Sequence, residues 1–202
     1  MPGARRVLDV GCGTGEHLKH LRAAHGFEVD GLDLDAGLLA VARRKVPDAR
    51  FFEADMSSFR LGRCYDVIMC LFSSIGYLRS LDRVTAAFGC FREHLGTSGV
   101  VIVEPWFAPG ALRVGSSDAK RAERGGLRVE RTSEVQVEGR LSRVIFAYRI
   151  EDAGETRYAR EVHELGLFTP AELLASFQVS GLTASYDPEG LTGRGLYVAR
   201  ID

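Results

Sequence analysis

One stretch restricts the fold of this chain more than any other. Val7-Leu8-Asp9-Val10 is a short apolar run with an acid near its end. It breaks into Gly11-Cys12-Gly13-Thr14-Gly15, and Glu16–His25 then resumes with helical character. Glycines let a backbone turn tightly and approach a ligand closely. The first turn of the next helix has unpaired N–H groups that suit a ligand carboxylate. Strand, glycine loop and helix in this order form the opening unit of a doubly wound α/β fold.

The chain that follows keeps to this plan for about a hundred residues. Strands are expected at Arg6–Val10, Glu28–Leu34, Ala49–Glu53, Tyr65–Leu71 and Gly99–Glu104. Helices are expected at Glu16–His25, Ala36–Lys45 and Leu81–Leu95, the second capped by Asp35. Such alternation implies a parallel sheet covered on both faces. Pro105–Gly126 has no clear period. Leu127–Val137 then alternates, with Leu127, Val129, Val135 and Val137 on one face and Arg128, Glu130, Glu134 and Glu138 on the other. Leu141–Ile150 and Thr156–Leu165 continue an antiparallel meander. Thr169-Pro170-Ala171-Glu172 has the pattern of a capped helix start, running to about Val179. Two strands, Leu182–Tyr186 and Gly195–Ile201, close the chain. The expected architecture is a mostly parallel seven-stranded sheet with an inserted meander. It divides into a Rossmann-like cofactor core at 1–104, an insertion at 105–166 and a completing segment at 167–202. With 202 residues, 46% of them hydrophobic, there is material for one core with such an insertion.

The acids at the strand ends suggest what the core binds. Asp9 is placed to hold a ligand ammonium. Asp33 falls 22 residues after Gly11, where a carboxylate grips both hydroxyls of an unphosphorylated ribose. Asp55 follows the third strand and could accept from an adenine amino group, with the Met56 amide on the ring. Together they describe adenosine bearing an amino-acid tail. A nicotinamide dinucleotide site wants its third glycine at position 16, which is Glu16, and an acid there would repel a pyrophosphate.

These motifs are similar to those of class I S-adenosylmethionine (SAM)-dependent methyltransferases. Cys70-Leu71-Phe72-Ser73-Ser74-Ile75-Gly76-Tyr77, Val101-Ile102-Val103-Glu104-Pro105-Trp106 and Gly193-Arg194-Gly195-Leu196-Tyr197 narrow the resemblance to the nucleotide-sugar N,N-dimethyltransferases. That resemblance implies N-methylation of a dTDP-linked amino sugar or a similar small amine. The cofactor motifs alone do not separate nitrogen from oxygen or carbon acceptors, or turnover from SAM binding without catalysis. It also implies a SAM site of Asp9, Gly11, Cys12, Gly13, Gly15, Asp33, Leu34, Asp55, Met56 and Leu71. Glu104, Trp106, Arg131 and Arg194 are the expected acceptor contacts, Arg194 for the sugar-nucleotide phosphates. Glu134 and His163 are the expected proton acceptors, aligned where the family can carry a His and a Tyr. The insertion would shape the acceptor pocket and a homodimer contact. Family members carry a few dozen residues, including tyrosines that close over SAM and acceptor, ahead of the glycine loop. Only Met1–Leu8 precede Asp9 here, so either that segment lies outside this sequence or another lid serves.

Composition excludes other classes. Formal net charge is −1, with no basic excess for nucleic acid and no polybasic arm for a membrane. The N-terminus is too short and polar for a signal peptide, and a cytoplasmic protein is expected. Cys12, Cys64, Cys70 and Cys90 show no C-x-x-C spacing and read as reduced thiols rather than a metal site.

Overall fold

The computed structural model describes residues 3–115 and 118–201. The first half forms β1 (Arg6–Val10), α1 (Glu16–His25), β2 (Glu28–Asp33), α2 (Ala36–Lys45), β3 (Arg50–Glu53), β4 (Tyr65–Cys70), α3 (Leu81–His94) and β5 (Leu95–Val103). A short 3-10 turn, Ser74–Leu78, follows β4. Then come β6 (Asp118–Arg124), β7 (Leu127–Glu138), β8 (Leu141–Asp152), β9 (Glu155–Gly166), α4 (Pro170–Val179), β10 (Thr183–Asp187) and β11 (Leu196–Arg200).

The main sheet has seven strands in the order β10-β11-β5-β4-β1-β2-β3. β1 to β5 are parallel, and β11 runs antiparallel between β5 and β10. Strand alternation explains both faces. In β1, Val7 joins the apolar cluster containing Leu18 of α1 and Leu39 of α2. Leu8 and Val10 join the larger cluster with Phe88 of α3 and Phe177 of α4. The same alternation aims Asp9 toward α1. The strand order reverses between β1 and β4, so the carboxyl ends of β1 and β4 border the crevice where such sheets take ligands, with the end of β2 next to β1.

The insertion is a four-stranded antiparallel sheet, β6-β7-β8-β9. Three strands were expected, and β6 lies in the stretch read as having no period. All seven of its residues are exposed, so this edge strand has no buried face to impose an alternation. β6 and β7 are joined by Gly125-Gly126, both at positive φ, the conformation a two-residue hairpin demands. β5 also begins four residues earlier than expected, directly after α3.

α4 starts with a full capping box. The Glu172 N–H donates to Thr169 Oγ1 at 3.3 Å, and the Thr169 N–H donates to Glu172 Oε2 at 2.8 Å. The Thr169 N–H and the Arg140 guanidinium outweigh burial and hold the Glu172 carboxyl below its ordinary range. Its contribution is therefore present above the unfolded value of about 4.3 and is lost as pH falls through the lower folded value. Glu172→Ala should cost about 1 kcal/mol near neutral pH. Urea unfolding at about pH 7 and about pH 3 should show the gap from wild type narrowing in acid. A gap that does not change with pH would contradict this account.

Candidate active site

The glycine loop is folded back onto β2. The N–H groups of Gly11 and Cys12 both donate to the Leu32 carbonyl, at 2.8 and 3.0 Å. Gly11 has φ 75°, and a Cβ there would lie 2.6 Å from Ser74 Oγ, so only glycine lets the two loops meet. Gly15 caps α1 and packs against Ala42 of α2. The Gly13 N–H donates to Asp33 Oδ2 at 2.8 Å, and the Asp35 N–H donates to Asp33 Oδ1 at 3.0 Å. Each carboxylate oxygen thus takes one backbone bond and keeps a lone pair.

Along this edge runs a cleft of about 670 Å³. Gly11, Gly13, Asp33, Leu34, Asp55, Met56, Phe72, Ser74, Tyr77, Arg79 and Arg83 are among the residues that line it. Leu34 is 70% exposed, an apolar side chain left bare beside the cleft. Asp55 Oδ1 accepts from the N–H and the hydroxyl of Ser57, and Oδ2 pairs with Arg83. Burial alone would raise the Asp55 carboxyl, but these bonds outweigh it and hold it below the ordinary range.

Asp9 is 1% exposed, and its Oδ2 has no hydrogen-bond partner. His17 Nδ1 on α1 lies 3.5 Å away, close enough for attraction but long for a hydrogen bond. Burial pushes the Asp9 carboxyl up, with His17 opposing. The Asp9 carboxylate in turn raises the His17 imidazole, against its own partial burial. An unpaired buried carboxylate oxygen beside a helix N-terminus is chemically suited to a ligand ammonium next to a ligand carboxylate.

The structure separates some residues that the sequence grouped. Cys12 is buried under the loop, its thiol pushed up by burial. Leu71 packs with the Val7–Leu18–Met69 cluster rather than lining the cleft, since parity along β4 sends it the same way as Met69. Glu104 is fully buried and spent internally. Its Oε2 accepts from the Phe72 N–H at 2.8 Å, and its Oε1 accepts from Thr192 Oγ1 at 2.5 Å and Arg194 Nη2 at 3.3 Å. This anchor fixes Phe72 and Ser73, both in the left-handed region at φ 50° and 66°. Trp106 Nε1 donates to the buried Ser142 Oγ at 2.8 Å, tying the insertion to the core, and the Arg194 guanidinium lies 5.8 Å from its ring centre. Glu104, Trp106 and Arg194 therefore form one cluster.

Arg131 and His163 sit together on the insertion sheet. Register pairs Arg131 with Tyr148, Ser133 with Phe146 and Val144 with His163, so all share the face turned to the core. Arg131 stacks over the Phe146 ring at 4.4 Å. Glu134 does not join them. It pairs with Ile145 on the opposite face, exposed and hydrogen-bonded to Gln136. Strand parity thus puts Glu134 and His163, both expected as proton acceptors, on opposite faces of the insertion sheet. Tyr77, quoted in the motif but not assigned a role, reaches the cleft, and its hydroxyl lies 2.7 Å from His163 Nδ1. Arg79, Arg83 and His17 were also unassigned; nothing in their local pattern marks them. Among the described residues, no group of three or more His, Cys, Asp or Glu could hold a metal ion, and no helix is long and apolar enough to cross a membrane.

Comparison with known proteins gives these parts their context. A family model described as a methyltransferase domain matches residues 7–99. The chain is 40% identical to dTDP-3-amino-3,4,6-trideoxy-alpha-D-glucopyranose N,N-dimethyltransferase of Streptomyces venezuelae, over 98% of this chain and 83% of that protein. It is 41% identical to dTDP-3-amino-3,6-dideoxy-alpha-D-glucopyranose N,N-dimethyltransferase of Streptomyces fradiae, over 97% and 77%. The crystal structure of Streptomyces venezuelae DesVI superposes with a TM-score of 0.95 at 39% identity, covering 100% of this chain and 85% of that one. A SAM-bound amino pentose methyltransferase from Micromonospora echinaspora superposes with a TM-score of 0.88 at 37% identity, covering 98% and 84%. An unpaired acid under a glycine loop, a second acid at the next strand end and relatives matched over nearly the whole length lead to one conclusion: the chain belongs to the nucleotide-sugar N,N-dimethyltransferase family of class I SAM-dependent methyltransferases.

Proposed function

We propose that this protein methylates the amino group of a nucleotide-linked amino sugar, and that the cleft between the glycine loop and the insertion brings SAM and the acceptor together. The observation that carries this reading is that Asp33, Met56 and Tyr77 line one cleft and that the Tyr77 hydroxyl reaches His163 on the insertion sheet. In the SAM site, Asp9 Oδ2 takes the ammonium of the amino-acid tail. That cation would relieve the burial that now disfavours the Asp9 carboxylate. Gly11, Cys12, Gly13 and Gly15 shape the loop that lets the tail approach. The free lone pairs of Asp33 take the two ribose hydroxyls. Leu34, Asp55 and Met56 border the adenine.

SAM, when bound, supplies a methyl group on a sulfonium, and the protein's task is largely positioning. Arg194 spends Nε on Thr192 and Nη2 on Glu104 and offers the rest of its fork to the acceptor's phosphates. Trp106 and the Arg131–Phe146 stack flank the acceptor. The outer face of the insertion sheet, with Tyr158 and Val162 exposed, is the surface we assign to a second copy of the chain.

Incubation with SAM and a panel of dTDP-3-amino and dTDP-4-amino sugars should yield mono- and dimethylated products by mass spectrometry. Binding of S-adenosylhomocysteine without methylation of any amino sugar would refute this reading. Methylation confined to hydroxyl acceptors would replace it with an O-methyltransferase.

A further inference from the structure

The proposed reaction leaves one step without a group to perform it. An amine protonated near neutral pH must lose a proton before its nitrogen can attack, and Glu134 faces away from the cleft. Resting on the functional reading above, we propose that Tyr77 takes this proton from the acceptor and passes its own to His163, with Glu161 holding the imidazole in place.

The placement is specific. Tyr77 lies on the 3-10 turn after β4, lines the cleft and is 47% exposed. The turn is clamped from both sides. A Cβ on Gly76 would come within 3.1–3.3 Å of Leu165 and Trp106, and Arg79 pairs with Glu164 at 3.1 Å. Behind Tyr77, His163 Nδ1 is 2.7 Å from the phenol oxygen, and His163 Nε2 is 3.5 Å from Glu161 Oε2. Glu161 is itself fixed by the Tyr148 hydroxyl, which donates to it at 2.9 Å. Phe146 packs edge-on against the imidazole at 5.3 Å, with Arg131 on that ring. The charged and titratable groups around the pair are thus Glu161, Tyr148 and Arg131 from the insertion, with Asp33, Arg79 and Arg83 in the lining of the same cleft.

The chemistry follows from the order of these atoms. A carboxylate beside Nε2 selects the tautomer with its proton on Nε2. Nδ1 is then an acceptor, so Tyr77 donates its O–H to it and turns its oxygen lone pairs to the cleft. Burial first, then Glu161 and Asp33, push Tyr77 ionisation upward, so it does not act as a standing phenolate. It can act in a relay. One N–H bond of the acceptor ammonium breaks as an O–H bond forms on Tyr77. The original Tyr77 O–H bond breaks as an N–H bond forms on His163 Nδ1. Two protons each move one step, for a net transfer of one from the amine to His163, every electron pair stays with its heavy atom, and the new imidazolium lies between Tyr77 and Glu161. The amine keeps its lone pair. His163, 30% exposed, then returns the proton to solvent before a second methylation.

A purely structural role would make the same hydrogen bond a rivet between turn and sheet, and two variants separate the readings. Tyr77→Phe should lower kcat roughly 100-fold and leave KM for SAM and the affinity for S-adenosylhomocysteine within about twofold. The deficit should shrink as pH rises and the amine deprotonates unaided. His163→Gln keeps an acceptor for the Tyr77 hydroxyl but cannot take its proton, so it should keep the fold and lose the rate. Side-chain 15N NMR of the ligand-free protein should show His163 with its proton on Nε2, and an Nδ1 shift that moves in Tyr77→Phe. A wild-type rate across pH in either variant, or a proton on Nδ1, would overturn the relay. A wild type that binds S-adenosylhomocysteine and methylates no amine would overturn the functional reading instead.

Discussion

Asp33→Ala is expected to weaken S-adenosylhomocysteine binding by at least about 100-fold while the protein stays folded. The carboxylate accepts the Gly13 and Asp35 N–H groups and retains one lone pair per oxygen for the ribose diol. A hydrogen bond to a charged group contributes roughly 1.5–3 kcal/mol. Losing two therefore removes about 3–6 kcal/mol, or two to four decades at about 1.4 kcal/mol each. The two backbone donors left behind lie at the rim of the cleft, where water can replace the carboxylate. Calorimetric titration measures the affinity, and circular dichroism checks the fold. A loss under about fivefold would place the ribose elsewhere.

The largest expected effect on stability is at Phe177. Phe177→Ala should destabilise the protein by about 3–5 kcal/mol, the usual cost of truncating a fully buried aromatic. Its ring is 0% exposed, lies face to face on Phe88 at 3.8 Å and 6°, and meets Tyr197 at 5.7 Å. Phe88 is on α3, ahead of the insertion, and Phe177 is on α4, after it, so this stack closes the core across 88 intervening residues. Denaturant unfolding should show a lower midpoint with an unchanged slope. A loss below about 1.5 kcal/mol would mean that the site collapses around the missing ring.

Local chemistry made much of the fold legible. The Asp35 side chain accepts from the Leu38 N–H at 2.9 Å, and the Thr169–Glu172 box is formed, because caps are decided within four residues. The helix–strand alternation from Arg6 to Val103 was readable because each strand is apolar and each helix is banked on one side. β6 escaped because a wholly exposed edge strand carries no period. The candidate site divided along the same line. Gly11, Gly13, Asp33 and Met56 lie within one motif or at successive strand ends, where order along the chain predicts place in space. Tyr77 and His163 are 86 residues apart, and only the docking of the insertion brings them together. Parity sets the directions of Glu134 and Leu71, and the motif spacing does not carry it. Pairing Val144 with His163 and Ile145 with Glu134 sends those two side chains to opposite faces. Glu104 and Arg194 were read as groups waiting for an acceptor. Nothing in their short motifs shows that they hold each other.

The Glu104 anchor has a consequence for the order in which this protein is made. Its buried carboxylate steadies Phe72, yet two of its three donors come from Thr192 and Arg194, 88 and 90 residues downstream. On the ribosome, those donors emerge well after Glu104 itself. The edge of the molecule announced by the Gly11–Gly15 loop therefore matures only once Thr192 and Arg194 have arrived, and a nascent chain can have most of its parallel strands in place before it has a finished floor beneath Phe72.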